Sequence, residues 1–391
     1  MSYEKKSLEY HRKYKGKIEI VAKSKVETPE DLSTFYTPGI AAVSKTIAEK
    51  KCRVWDYTMR GNAVAVVTDG SAVLGLGDIG PEAAHPVMAG KALLFKEFAD
   101  IDAFPICLDT KDPEEIIKIC KALAPSFGGI NLEDISAPRC FEIENALQDI
   151  GIPVMHDDQH GTAIVVLAGL INAAKLVRKE LKNCKIAVSG LGAAGTAVTV
   201  MLNDYSEGKT GITLVDSKGI VCGRNDLNQS KKEICKIIQT KNKKGGLKEA
   251  LVGADIFIGL SAPNILTSKM VGTMNHDAIV FAMANPVPEI SYNNAKKGGA
   301  KIVATGRSDF PNQVNNVLAF PGVFRGALDA KATKITEKMK FAAAGALANS
   351  VENPNFNKII PSPFDKTYVK NVAAAVAKEA VAEGVIRPKC D

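Results

Sequence analysis

A glycine-rich turn constrains the fold of this chain most strongly. The sequence SGLGAAG at 189–195 follows an apolar strand pattern and opens a helical one. A second strand pattern ends in Asp216, 21 residues after the third glycine. Such a turn brings backbone close to a pyrophosphate, and the acid accepts ribose hydroxyls, so the pattern predicts a dinucleotide site. The predicted cofactor contacts in the turn are Gly190, Gly192, Ala193, Ala194 and Gly195.

Two details bear on this site. Asp216 favours NAD, but Lys218 two residues later could meet a 2′-phosphate, so NADP stays open. A second stretch with the same glycine spacing, GLGDIG at 75–80, contains Asp78, which would repel a pyrophosphate. We predict that 75–80 is a backbone turn lining a cleft.

Apolar strands alternate with helical patterns along most of the chain, which predicts mostly parallel sheets. The fold class is α/β with two domains. We predict that residues 1–160 form an N-terminal α/β domain and that 161–391 form a Rossmann-like doubly wound sheet whose C-terminal helices brace the cleft between the two. Residues 1–25 read as one amphipathic helix, and Thr28 as the N-cap of the next. Strands are predicted at 62–68, 103–108, 129–132, 152–155, 185–189, 212–215, 256–259, 279–282 and 302–304.

Composition excludes several classes of protein. The 391 residues contain no apolar run long enough for a membrane helix, and Glu4 and Glu9 argue against a secretory signal or transit peptide. Eight cysteines without a CxxC pair predict free thiols in a reducing compartment, by default the cytoplasm.

The net charge of +7 is concentrated in two places. Residues 231–248 hold seven Lys and one Glu, and residues 1–25 hold eight Lys or Arg and three Glu. Neither cluster has a nucleic-acid-binding motif, so both are interpreted as solvated faces, and no nucleic-acid partner is expected.

Two acidic clusters follow strands of the first predicted sheet. Glu133 and Asp134 lie in NLEDI, and Asp157 and Asp158 in HDDQHGTA. Carboxyl ends of parallel strands line the crevice of such a sheet, and several carboxylates there suit Mg²⁺ or Mn²⁺. One alternative is that Asp157 and Asp158 cap the N-terminus of a helix. Another is a zinc site formed by two histidines four residues apart, a spacing that brings them together only on a helix. That pair is His156 and His160.

Two further side chains have both a structural and a catalytic interpretation. Lys91 lies within an apolar helical pattern, where it is either a surface lysine or a desolvated base with a lowered pKa. Tyr36, in FYTPG, is either a packed ring or a phenolic acid. The pattern alone assigns neither residue.

Taken together, these motifs resemble malic enzyme. The resemblance runs from about residue 15 to about 385 and is closest to the small type found in prokaryotes and some protists. It implies oxidative decarboxylation of L-malate to pyruvate and CO₂, with NAD(P)⁺ and a divalent cation. The matching motifs are FYTPG, VVTDGSAVLGLGDIG, GKALLFK, NLEDI, HDDQHGTA, SGLGAAG, MANPVPEI and FPNQVNNVLAFPGVFRGAL.

The resemblance also implies roles for residues. Tyr36 resembles the general acid that protonates enolpyruvate, and Lys91 the general base on the malate hydroxyl, a task that suits a buried lysine of near-neutral pKa. The residues that resemble metal ligands are Glu133, Asp134 and Asp158, with Asp157 close behind. Those that resemble the groups holding the substrate carboxylate are Asn285, Asn315 and Asn316, of which Asn285 is also expected at the cofactor.

One position departs from the family pattern. Larger members carry an arginine that clamps malate where this chain has Ala72. Either another cation holds the substrate carboxylate here, with Arg307 as the candidate, or the metal and the asparagines suffice. The alternatives are another two-domain dehydrogenase without decarboxylation and a non-catalytic dinucleotide sensor. The resemblance implies a homodimer or larger homo-oligomer, and leaves open whether Tyr36 completes its own cleft or a neighbour's.

Overall fold

Two sheets of strands form the frame of the molecule. The computed structural model describes residues 2–73, 75–238 and 244–390, so the predicted lysine-rich segment lies partly outside the described residues. The strands are β1 (Ala63–Thr68), β2 (Asp102–Cys107), β3 (Gly129–Leu132), β4 (Val154–His156), β5 (Lys185–Ser189), β6 (Gly211–Asp216), β7 (Gly219–Ile220), β8 (Ile256–Gly259), β9 (Ile279–Ala282) and β10 (Ile302–Thr305).

Helices surround both sheets. They are α1 (Tyr3–Tyr14), α2 (Pro29–Phe35), α3 (Ile40–Glu49), α4 (Val54–Tyr57), α5 (Gly80–Ala99), α6 (Pro113–Leu123), α7 (Arg139–Ala146), α8 (Asp157–Leu176), α9 (Ala193–Tyr205), α10 (Gln229–Ile237), α11 (Leu247–Leu251), α12 (Ser268–Val271), α13 (Tyr292–Lys297), α14 (Phe320–Asp329), α15 (Glu337–Asn349) and α16 (Thr367–Ala382). No helix of the described segments is long and apolar enough to cross a bilayer.

The first sheet has the order β2-β1-β3-β4, with parallel neighbours throughout. All six residues of β1 are buried, as expected for a central parallel strand. Helix α5 packs against this sheet through Phe95, which also meets Phe320 and Phe324 of α14, ring centroids 4.7 and 5.4 Å apart. Burying an aromatic ring of this size contributes about 1.5–3 kcal/mol. The C-terminal helices therefore pack back onto the first sheet.

The second sheet has the order β10-β9-β8-β5-β6-β7, parallel except for the β6–β7 hairpin. Strand β5 lies in its middle and pairs with β6 on one side and β8 on the other. The strand order reverses direction at β5, and ligands bind at such a switch point, outside the carboxyl ends of the strands. The predicted α/β fold class is confirmed.

Helix α8 links the two sheets. It starts directly at the end of β4 and buries fourteen of its twenty residues, so it is apolar on nearly all sides. The buried amide of Asn172 donates to the carbonyls of Ala348 and Ile359 and thereby links α8 to the C-terminal region. The predicted domain boundary at 160 falls in the first turn of α8 and stays a prediction.

The N-terminal region differs from its prediction. Helix α1 ends at Tyr14 rather than continuing to residue 25, and none of its residues is buried, so no packing extends it. The predicted cap is confirmed, since Thr28 and Asp31 form a capping box at α2. Helix α5 begins at Gly80 and contains Pro86.

The prediction of free thiols is wrong for four of the eight cysteines. The structure pairs Cys52 with Cys390 and Cys222 with Cys235. The first pair joins positions 338 apart in sequence, and the second joins the segment after β7 to α10, so tertiary packing creates both. The free cysteines of the described chain are Cys107, Cys120, Cys140 and Cys184.

Candidate active site

A cleft of about 800 Å³ opens at the carboxyl ends of both sheets. From the first sheet it is lined by the segment after β3 and by Asp158 of α8. From the second sheet it is lined by the glycine turn and by the segments after β8, β9 and β10. Gly75 of the GLGDIG turn also lines it, which confirms the predicted cleft turn.

The glycine turn forms the cofactor side of this cleft. Gly190 has φ 102°, and a Cβ there would overlap the carbonyl of Leu260. A Cβ on Gly195 would overlap the carbonyl of Gly190, so both positions need glycine. The N-terminus of α9 begins directly after Gly192, and its free backbone N–H groups suit a pyrophosphate.

Asp216 lies at the end of β6, but its carboxylate is already engaged. Arg224 donates to both oxygens, at 2.5 and 2.9 Å, and Lys231 Nζ donates to Oδ2 at 2.6 Å. Burial alone would raise the pKa of Asp216, but the hydrogen bonds from Arg224 and Lys231 hold it well below its usual range. The sequence had suggested an acid open to ribose, and the structure shows one bound by two cations.

The predicted metal ligands come together at the first sheet. Carboxylate oxygens of Glu133, Asp134 and Asp158 lie within 4.8 Å of one another. The backbone of Asp134 adopts φ 53° and donates its N–H to Asp158 Oδ2 at 2.8 Å, which fixes the two side chains relative to each other. Burial raises the pKa of all three carboxyl groups, and repulsion from neighbouring carboxylates adds to that increase.

This cluster fits a hard divalent cation. Asp134 Oδ2 is buried and has no hydrogen-bond partner among the described residues. Burying an unpaired carboxylate oxygen costs free energy unless a positive group lies against it. Three carboxylate oxygens at close range are the donor set of Mg²⁺ and Mn²⁺ sites.

Lys91 joins the acidic cluster. Its Nζ lies 2.5 Å from Asp157 Oδ2 and 3.0 Å from Glu133 Oε1, and 4.5 Å from the centre of the Phe320 ring. The surface-lysine alternative is therefore wrong, since the side chain is only 12% exposed. Burial alone would lower the pKa of Lys91, but Asp157 and Glu133 outweigh burial and raise it. Without a bound cation these carboxylates therefore favour a protonated Lys91, and its near-neutral pKa stays a prediction.

The two histidines of HDDQHGTA lie beside different carboxylates, His156 beside Asp158 and His160 beside Glu144. Glu144 accepts from the backbone N–H of His156 at 2.9 Å and lies 3.0 Å from His160 Nε2. Lys340 Nζ lies 3.0 Å from His160 Nδ1. Burial lowers the pKa of His156 to about 4, so its ring is neutral. The His160 ring lies against Glu144, whereas the His156 ring contacts Gln159 Nε2 at 3.0 Å and lies 3.3 Å from Asp158 Oδ2, so the two rings do not converge on a zinc site.

Comparisons with known proteins agree with this geometry. Residues 15–148 match the family described as malic enzyme, N-terminal domain, and residues 159–381 match malic enzyme, NAD binding domain. The chain belongs to the malic enzyme family. It is 53% identical over 396 residues to the bifunctional malic/malolactic enzyme of Bacillus subtilis, covering 100% of this chain and 96% of that one.

Two other malic enzymes are similarly close. The NAD-dependent malic enzyme of Geobacillus stearothermophilus is 54% identical over 377 residues, covering 95% of this chain and 78% of that one. The crystal structure of the NAD-dependent malic enzyme of Thermotoga maritima matches with a TM-score of 0.91 at 50% identity, covering 95% of this chain and 98% of that one.

The asparagines predicted from the malic enzyme resemblance lie on the cleft wall. Asn285, Asn315 and Asn316 all line it, on the side of the second sheet. Asn315 Oδ1 accepts the N–H of Val317 at 2.9 Å, so its amide NH₂ group is the part left to face a ligand. The structure thus brings these three residues to the same cleft as Asp158.

Two other predicted residues are not part of the cleft lining. Tyr36 is 67% exposed at the end of α2 and is not part of the cleft lining. Arg307 is paired with Asp309 at 2.7 Å and donates to the carbonyl of Pro286, so its charge is already balanced. Ala72 lines the cleft, as expected for the position that lacks the family arginine.

Sequence reasoning missed one supporting carboxylate. Glu289 is fully buried and accepts backbone N–H groups from Ser261 and Ala284, each at 3.0 Å. Ser261 and Ala284 both line the cleft, so Glu289 sets the shape of its wall. The acid in the MANPVPEI motif was the available signal.

Proposed function

We propose that this chain oxidises L-malate at C2 and decarboxylates it to pyruvate and CO₂, with reduction of NAD(P)⁺ and with a divalent cation. The observation that carries the proposal is the meeting of a carboxylate cluster and a nucleotide-binding turn at one cleft. Asp158 and Gly192 both line that cleft, from opposite sheets.

Glu133, Asp134 and Asp158 would hold Mg²⁺ or Mn²⁺. When bound, such an ion polarises the substrate's oxygen at C2 and stabilises negative charge that develops there. The unsatisfied Oδ2 of Asp134 supports this assignment. A bound cation would also explain why four carboxylates surround a single lysine, because this excess of negative charge is unfavourable without a second positive group.

Lys91 is the proposed proton acceptor for the C2 hydroxyl. The hydroxyl proton passes to Nζ as the C2 hydride leaves for the dinucleotide, and the C3–C4 bond then breaks to release CO₂. A general base must be neutral. Among the carboxylates that raise the pKa of Lys91, Asp157 is not a proposed metal ligand, but Glu133 and Asp158 are, and a divalent cation would neutralise those two. Asp157, 2.5 Å away, positions the amine.

The asparagines suit the substrate carboxylates. Asn315, Asn316 and Asn285 present neutral amide groups on the cleft wall, and they can donate to a carboxylate without adding charge. The glycine turn and the N-terminus of α9 would hold the pyrophosphate of the cofactor.

Tyr36 is the proposed acid for C3 of enolpyruvate, supplied by a second copy of the chain. Helices α1 to α4 bury no residue within one chain, and Tyr36 is mostly exposed. A groove of about 980 Å³ runs between the apolar 18–21 segment and edge strand β2, whose pairing edge is a typical contact surface. We therefore propose a homodimer built on this region.

A turnover assay tests the reaction. Purified protein with malate and Mn²⁺ is expected to form equal amounts of pyruvate, CO₂ and reduced cofactor. Oxaloacetate as the final product, or full activity in EDTA, would instead indicate a dehydrogenase without decarboxylation or without metal. Absence of turnover with both NAD⁺ and NADP⁺ would refute the proposal.

Mixing two inactive variants tests the shared site. Tyr36→Phe and Lys91→Ala are each expected to be inactive as homodimers. If Tyr36 acts across the interface, an equal mixture that exchanges subunits recovers about a quarter of wild-type activity, because half the dimers hold one intact site. If Tyr36 acts in its own cleft, the mixture stays inactive.

A further inference from the structure

A buried polar network at the start of α8 has no role in the chemistry described above. At its centre is Glu144 of α7, whose side chain is buried. We propose that Glu144 is a positioning residue of the active site, which fixes the first turn of α8 so that Asp157 reaches Lys91 and Asp158 reaches the metal site. The inference rests on the proposed malate reaction and names a residue on which its geometry depends.

Glu144 contacts both ends of the short segment that carries the two acids. Before the acids, its Oε1 accepts the backbone N–H of His156 at 2.9 Å. After them, its Oε2 accepts from Gln159 Nε2 at 2.9 Å and lies 3.0 Å from His160 Nε2. The two acids are the residues between these contacts. A single carboxylate therefore fixes the turn from which both acidic side chains project.

The contact with His156 takes the place of an ordinary helix cap. His156 is the N-cap residue of α8, and its side chain makes no capping hydrogen bond. In a capping box, the side chain three residues after the N-cap accepts the backbone N–H of the N-cap residue. That position is Gln159, whose amide instead donates to Glu144, so a carboxylate from another helix accepts the N–H. The start of α8 consequently depends on α7.

A chain of contacts also leads from Glu144 to the metal site. Gln159 Nε2 lies 3.0 Å from His156 Nδ1 as well as donating to Glu144. Because an amide NH₂ group donates, Nδ1 accepts and the ring hydrogen is on Nε2, which lies 3.3 Å from Asp158 Oδ2. Groups that orient a ligating carboxylate are part of a metal site, and their loss typically lowers metal affinity by roughly 10- to 100-fold.

The network requires a carboxylate rather than an amide at position 144. Its three partners at the start of α8 all present N–H groups, which a carboxylate can accept, whereas a glutamine would turn its own NH₂ group towards a donor. Lys340 of α15 lies 3.0 Å from His160 Nδ1 and adds a positive charge. Burial alone would raise the pKa of Glu144, but His160 and Lys340 hold it at about 2, so the side chain is ionised at neutral pH.

Binding of Mn²⁺ to the full chain, measured by electron paramagnetic resonance of the free ion, tests the inference without malate. Glu144→Gln is expected to weaken Mn²⁺ binding roughly tenfold or more. The matched control is Glu142→Gln, which changes an exposed glutamate of the same helix and should leave the affinity unchanged. Gln159→Met removes the link to the His156 ring but keeps the carboxylate of Glu144, so it should weaken Mn²⁺ binding by a smaller factor. It remains informative if Glu144→Gln does not fold.

Binding of the reduced dinucleotide, followed by its fluorescence, separates positioning from loss of structure. The glycine turn belongs to the second sheet, so Glu144→Gln should bind the dinucleotide within about twofold of the wild-type affinity. At saturating Mn²⁺ its kcat should be roughly tenfold lower or more, because Asp157 no longer orients Lys91. A purely structural role would instead reduce the number of sites for Mn²⁺ and for the dinucleotide together.

That joint loss of sites would overturn the inference, as would an unchanged Mn²⁺ affinity in Glu144→Gln or in Gln159→Met. Weaker Mn²⁺ binding by both variants of a chain that does not turn over malate would refute the proposed reaction and leave the positioning role of Glu144 intact.

Discussion

Asp134→Asn offers a sharp test of the acidic cluster, because it should stabilise the metal-free protein while removing its response to metal. Oxygens of Asp134, Glu133 and Asp158 lie within 4.8 Å of one another. At an effective dielectric constant of about 20, each like-charge pair at that distance costs about 3 kcal/mol. Sharing of protons and the nearby Lys91 offset part of this cost. We therefore expect the variant to gain about 2 kcal/mol in EDTA, or roughly 2–3 °C in Tm for a chain of this length.

The pH dependence has a definite sign. The pKa of Asp134 is raised in the folded state, mainly by burial and then by Asp158 and Glu133. Because the pKa of Asp134 is higher in the folded than in the unfolded state, its contribution to the free energy of unfolding is fully present below the unfolded-state pKa, near 4. That contribution is lost as the pH rises through the folded-state pKa. The Tm of wild-type protein in EDTA should therefore fall as the pH rises through this window, and the Tm of Asp134→Asn should fall less.

Thermal unfolding followed by circular dichroism, in EDTA and in MnCl₂, measures both effects. Mn²⁺ at about 100 times its dissociation constant should stabilise wild-type protein by about 2.7 kcal/mol and the variant far less. Asp149→Asn is the matched control, since Asp149 is an exposed acid paired with Lys334. A variant that is less stable than wild type in EDTA, or that keeps the full Mn²⁺ response, would refute the reasoning.

Three further predictions concern packing, the cleft wall and the thiols. A Cβ on Gly161 would overlap the Asp157 carboxylate, so Gly161→Ala should lower kcat tenfold or more while the fold is retained. The control is Gly345→Ala, which should leave kcat unchanged because a Cβ there meets nothing within 4 Å. Glu289→Gln places an NH₂ group against a backbone N–H such as that of Ser261, so it should cost about 1–3 kcal/mol in unfolding experiments and raise the KM for the dinucleotide. Ellman titration of denatured protein should find four thiols before reduction and eight after it, and eight before reduction would contradict both pairs.

The frame of the molecule was predictable because local pattern and burial agree there. Strands such as 129–132 and 256–259 are short apolar runs buried on both faces, and the structure has them at those residues. The glycine turn was predictable because its backbone conformation excludes other residues, as at Gly195. The hairpin strand β7 was missed because two residues give no periodicity.

The electrostatic state of the site could not be predicted from sequence. The pKa of Lys91 depends on Asp157 and Glu133, which lie 66 and 42 positions away and reach it only through the sheet. Likewise, Asp216 looked free to bind ribose because its partner Lys231 belongs to a helix that follows fifteen residues later. Pattern identifies which groups carry charge, and packing decides which of them neutralise each other.

The charge balance of the cleft leads to a last prediction about ligand removal. Four carboxylates surround Lys91, and Arg307 and Arg139 are already paired with Asp309 and Asp69. Malate is a dianion, so without a divalent cation it should be repelled from the cleft. Differential scanning fluorimetry should show that malate raises Tm only when Mn²⁺ is present, with MnCl₂ alone and malate in EDTA as controls. Equal protection by malate in EDTA would mean that a positive group outside the described cluster holds the substrate, and the role proposed for the metal would have to be abandoned.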